Sequence, residues 1–156
     1  MGSALISSGT RAPEGFLKSC KEGPTDPERI FSAILNHSKF TVLYFLGKST
    51  FTSSHETNEV LKAIQIHIET IETSFPNLFN YHCIYHSLNP DHFIKKEIVL
   101  EGVKEWEDPS GEVHNKYGVG YKPSIVIVRP DGYVGMSEDI EHSSQINSWL
   151  TFFLSS

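Results

Sequence analysis

Cysteine is scarce in this 156-residue chain: there are two, Cys20 and Cys83, far apart and with no C-x-x-C spacing. That excludes a disulfide framework and a cysteine-based zinc site, and it points to reduced thiols in a cytoplasmic protein. Positive charge is scarce too. Thirteen Lys and Arg stand against nineteen Asp and Glu, a net charge of −6. Such a chain has little to offer a phosphate backbone, so nucleic acid is excluded as a natural partner. No apolar run reaches the ~18 residues of a membrane helix, so no membrane partner is expected. Ala4-Leu5-Ile6, with no basic residue before it, is too short for a signal-peptide core. The glycines never take the G-x-G-x-x-G spacing of a dinucleotide-binding turn.

What is present is ordinary globular composition, 38% hydrophobic and 21% charged, in a length that suits one domain. Residues 1–25 are rich in Gly, Ser and Pro and read as a tail with a docking segment around Gly15-Phe16-Leu17; residues 26–156 read as the domain. Asp26-Pro27-Glu28 is a helix-start signal, a capping side chain followed by proline and an acid. The helix it opens is expected to bury Ile30, Phe31, Ile34 and Leu35. Phe40 to Leu46 is an aromatic and branched run that ends at Gly47, a buried central strand. Ser53-Ser54-His55-Glu56 fits a capping box, and behind it Val60, Leu61, Ile64, Ile68 and Ile71 recur at helical spacing.

Phe79 to His86 alternates as a second strand. Residues 90–112 are ambiguous, with Lys95-Lys96 followed by an acidic, turn-rich stretch. Pro123 introduces Ser124 to Val128, a strand buried on both faces; Pro130-Asp131-Gly132 turns, and Tyr133-Val134-Gly135 returns antiparallel to it. A last helix from about Ser143 is expected to bury Ile146, Trp149, Leu150 and Phe153.

This order, a βαβ half feeding a hairpin and a closing helix, resembles the thioredoxin pattern: an α/β fold with a mixed central sheet flanked by helices. The resemblance implies a cis-proline at Pro123, in the segment Tyr117-Gly118-Val119-Gly120-Tyr121-Lys122-Pro123-Ser124. A narrower likeness lies in Asp108-Pro109-Ser110-Gly111-Glu112-Val113-His114-Asn115-Lys116-Tyr117-Gly118-Val119 and in Ile125 to Gly135, with Arg129-Pro130-Asp131-Gly132-Tyr133-Val134 at its centre. These segments resemble the C-terminal thioredoxin-like domain of the flavin-dependent aromatic hydroxylases, the phenol 2-monooxygenase family. Gly9-Thr10-Arg11-Ala12-Pro13 is similar to that domain's opening segment. The flavin and substrate domains have no counterpart here, so the expectation is a free-standing relative that is not itself a complete flavin monooxygenase. In that family the domain lacks redox cysteines and contributes to subunit contacts.

The fold suggests thiol chemistry in the turn Gly47 to Ser54, where a helix N-terminus lowers a thiol's pKa. That turn holds hydroxyls and no cysteine. His82, Cys83 and His86 invite a metal reading, yet on a strand His82 and His86 stand ~13 Å apart, too far for one ion. No metal or cofactor is expected. His55, in the first turn of the main helix, is the candidate general acid or base; Ser53, Ser54, Tyr121 and Lys122 are the candidate substrate-binding residues around it. Helix capping and solvation account for the same residue types in that turn. His114, Lys116 and Tyr117 fall in a polar stretch and are expected to face water. Arg129 and Asp131 read as a turn device with a charged pair. Ile66, Phe152 and Leu154 fall off the core stripes and are candidates for an interface if they are contiguous.

Two function classes follow. One is a non-redox accessory or dimerisation module, a homodimer or the partner of a flavin monooxygenase, in aromatic or polyketide secondary metabolism. The other is a cofactor-independent isomerase, cyclase or dehydratase acting on a small aromatic or polyketide ligand in a pocket near His55 and Pro123. A third, a peroxide-reducing protein whose cysteine has been lost from the Thr52–Ser54 turn, has the least support.

Overall fold

The structure, a computed structural model, describes residues 5–19, 28–29, 35, 38–47, 54–86 and 100–140. In chain order these form β1 (Phe16–Ser19), β2 (Glu28–Arg29), β3 (Phe40–Phe45), α1 (Ser54–Ser74), β4 (Phe79–His86), β5 (Val103–Asp108), α2 (Glu112–Lys116), β6 (Ser124–Val128) and β7 (Val134–Asp139). The strands make one mixed sheet in the order β2-β1-β5-β4-β3-β6-β7. β3, β4 and β5 run parallel to their neighbours in this set; every other pairing is antiparallel.

The central strands are apolar on both faces because both faces are covered. Side chains alternate along a strand, and the core divides accordingly. Val42, Tyr44, Cys83, Tyr85, Ile125 and Ile127 point to one face, where Leu61, Ile64 and Ile71 of α1 meet them. Leu43, Phe45, Ile84, Val126 and Val128 point to the other, against Ala12, Leu17, Val113, Tyr117 and Val119. The stripe expected on α1 is the buried one. Ile66 lies outside it and is 64% exposed.

Three expectations need correction. Glu28 and Arg29 pair with Leu17 and Phe16 as strand residues, so Glu28 is not the first-turn acid of a helix; Asp26 and Pro27 lie outside the described residues. Ile30, Phe31 and Ile34 lie outside the described residues, as do the closing helix, Phe152 and Leu154. The Lys122–Pro123 bond is trans, since no described peptide bond is cis. Trans is the lower-energy form by about 0.5–1 kcal/mol, and the loop fits against its neighbour through Gly47 instead. His114 and Tyr117 do not face water; both are fully buried, because α2 is a single turn wedged between the sheet and the N-terminal segment.

That segment belongs to the fold. Gly9 N–H donates to Val134 O (2.7 Å), Val134 N–H to Thr10 O (2.7 Å), and Ala12 N–H to Gly132 O (2.8 Å), so residues 9–12 pair with residues 132–134, at the start of β7. Ser137 Oγ donates to Ile6 O at 2.6 Å, and Ile6 N–H donates to Tyr117 O at 3.1 Å.

Candidate functional site

Open sheets with parallel strands gather functional groups beyond the carboxyl ends of those strands. Here β3 runs out at Gly47, β4 at His86 and β5 at Asp108, and the last two are register partners. β6 is antiparallel to β3, so its start and the preceding loop 117–123 lie at the same end.

Gly47 fixes how the two segments meet. Its φ is +87°, and a Cβ there would lie 2.6 Å from Tyr121 O and 3.0 Å from Lys122 O. Only glycine accepts both that conformation and that approach. Next to this contact is an open cavity of about 370 Å³ lined by Leu5, Gly118, Gly120, Tyr121, Lys122, Ser124 and Asp139. Tyr121 is 75% exposed and Ser124 buried; Ser124 Oγ donates to Lys122 O at 3.1 Å. Of the residues singled out from the sequence, Tyr121 and Lys122 thus come together at one cavity. Ser53 lies outside the described residues, and Ser54 and His55 are described in backbone alone, as the first residues of α1.

A second cluster sits inside the same end of the sheet. The fully buried Asp108 carboxylate accepts hydrogen bonds from Val113 N–H (3.3 Å) and His114 N–H (2.8 Å), and its Oδ2 lies 2.8 Å from His114 Nδ1. Gly111, the residue before α2, has no side chain to cap it, and Asp108 supplies the missing acceptor from the neighbouring strand. Burial pushes the Asp108 carboxyl up, but the hydrogen bonds and charge of His114 and the Val113 amide hold it below the ordinary range. The rings of His86 and Phe45 stand edge-on to His114, at 5.0 and 5.1 Å. Gly111, at φ +74°, leaves room for His86: a Cβ there would lie 2.5 Å from His86 Nε2. Sequence reading missed this cluster. Its signal was an acid five and six residues before a short Val-His turn, hidden in a stretch that reads as polar loop.

The other buried histidines each have a side-chain hydrogen-bond partner. Trp106 Nε1–H donates to His82 Nδ1 at 3.0 Å, and His67 Nδ1 lies 2.7 Å from Tyr44 OH. Burial lowers both imidazoles to about 4, with Lys104 adding to the effect at His82. Burial raises the Tyr44 phenol well above its ordinary value, so a neutral phenol faces a neutral His67 imidazole. Among the described residues no group of three or more His, Cys, Asp or Glu is placed to hold a metal ion.

The family described as phenol hydroxylase, C-terminal dimerisation domain, matches residues 27–156. The chain belongs to that family. Among solved structures the dimerisation-domain chain is similar to yeast Sco1, at 12% identity over 96% of this chain and 98% of that one, with a TM-score of 0.65. It is likewise similar to a thiol peroxidase from Chromobacterium violaceum, at 14% identity over 99% and 91%, with a TM-score of 0.63. At such identities these matches establish the fold, which is thioredoxin-like. No curated protein matches the chain.

Proposed function

We propose that this chain is a non-redox module that associates with a second copy of itself. The dimerisation-domain match over residues 27–156 carries the reading. Two features agree with it. The turn from Gly47 to Ser54 contains no cysteine, and Cys83 is buried in mid-strand, where a thiol behaves as a small apolar group. Ile66, 64% exposed on α1, has no role in the core of its own domain, and we assign it to the self-contact.

Light scattering on the full chain tests this. The expected mass is twice 17.6 kDa, falling to the single-chain value for Ile66→Glu. A wild-type mass of one chain at every concentration overturns the reading, and a dimer indifferent to Ile66→Glu removes α1 from the interface.

A further inference from the structure

Given the self-association proposed above, on which this rests, we infer that α1 packs against α1 of the second copy in antiparallel orientation. The two-fold axis passes at Ile66, and Lys62 of each copy faces Glu69 of the other. At 3.6 residues per turn, Glu59, Lys62, Glu69, Thr70 and Thr73 all lie within about 60° of the direction in which Ile66 points. Each of them is exposed, as Ile66 is. The outward stripe of α1 thus has one large apolar side chain at its centre. Along the chain its charged and apolar members run acid, base, isoleucine, acid. Thr70 and Thr73 donate their hydroxyls to Ile66 O and Glu69 O of the same helix, at 2.9 and 2.7 Å. Packing against them therefore strands no donor.

An axis that reverses the helix brings each position before Ile66 level with the one equally far after it in the other copy. Lys62 stands four positions before Ile66 and Glu69 three after it, so Lys62 and the partner's Glu69 differ in height by only ~1.5 Å. Both lie on the same side of the stripe, and two-fold symmetry makes the ion pair twice. Glu59 comes level with the partner's Thr73, which carries no charge. On the other side the small, half-buried Ala63 comes beside the partner's Thr70 and lets the helices approach. Lys62 has an acid in its own helix, Glu59 at 3.6 Å, but both side chains are more than half exposed and such a pair contributes little. An ammonium with three donors can serve both acids. A parallel arrangement sets each residue level with its own copy: Glu59 against Glu59, Lys62 against Lys62, Glu69 against Glu69. Like charges in register oppose that contact. The charge order selects the antiparallel pair.

Charge reversal in the full chain, read by sedimentation equilibrium, tests this. Lys62→Glu and Glu69→Lys should each weaken the homodimer by about ten-fold or more. An equimolar mixture of the two variants should form a heterodimer about as tight as the parent, because both cross-pairs are then opposite in charge. Damage to the fold of either variant would not be repaired by mixing. Cysteine placement gives a second reading, in a Cys20→Ser background. Ile66→Cys sits on the axis, with Cα atoms about 5 Å apart, and should oxidise to a covalent dimer. Glu59→Cys lies ~21 Å from its copy and should not. A parent of single-chain mass at every concentration overturns the self-association and this pairing with it. A parent dimer whose charge reversals associate undiminished, or whose Glu59→Cys copies bridge, overturns the antiparallel pairing and leaves the self-association standing.

Discussion

The carboxylate of Asp108, at the end of β5, and the imidazole of His114, in α2, form a fully buried pair at 2.8 Å. Asp108 also takes the first free amides of α2, so one side chain ties a strand, a helix start and a histidine together. Removing it leaves those donors buried without an acceptor. Asp108→Ala should lower the unfolding free energy by about 3–5 kcal/mol, read from urea denaturation. Because the folded carboxyl is held low, its contribution is present above the unfolded value, ~3.9, and is lost as pH falls through the folded one.

The buried histidines set a higher acid limit. His67 and His82 are held neutral down to about 4, whereas the unfolded chain protonates them near 6.5. Between those values the unfolded state binds more protons, so stability falls with pH. Each histidine should cost about 3 kcal/mol over the whole window. Denaturation midpoints at pH 7.5 and 5 should differ strongly in the parent and less in His82→Gln; a flat profile in the parent would contradict the assignment of neutral, buried rings.

Two glycines separate the site from the core. Gly47→Ala places a methyl against the Tyr121 carbonyl, and Gly111→Ala places one against the His86 ring, each at a positive φ that a side chain resists. Both should destabilise by more than the ~1 kcal/mol of an αL penalty alone. Only Gly47→Ala should shift the amides of residues 118–124.

Cys83 gives a chemical readout. It is fully buried in β4, so in a Cys20→Ser background a thiol reagent should modify it only as fast as the sheet opens. Rapid labelling in native buffer would refute that burial.

Much of this architecture was legible where one periodicity held. Phe40 to Phe45, Phe79 to His86 and Ser124 to Val128 are strands because both of their faces are covered, and α1 carries its stripe at helical spacing. β5 was not legible. Val103, Trp106 and Asp108 face inward while Lys104 is exposed, so the strand's sequence reads as acidic and turn-like. His114 and Tyr117 were misjudged because a five-residue helix has no periodicity to reveal which side is covered. Tyr121 and Lys122 came from the expected thioredoxin-like fold, which is the fold observed. Asp139, Ser124 and Leu5 were missed because they reach the same cavity from three distant places, and local pattern carries no record of that. The Arg129–Asp131 pair, by contrast, is wholly local: Asp131 accepts from both Arg129 and the Tyr133 amide, as a turn device should.

The hydrogen bond from Ser137 to Ile6 spans 131 positions of sequence, and that from Tyr117 to Pro13 spans 104. Residues 5–12 are therefore among the last to find their places, since the start of β7 must exist before they have an edge to lie on. Until then β7 shows an unpaired border of amides and carbonyls, the form in which strands join neighbouring molecules. Topology with such distant contacts also folds slowly. In refolding at high concentration, a chain shortened by its first twelve residues should aggregate where the full chain recovers.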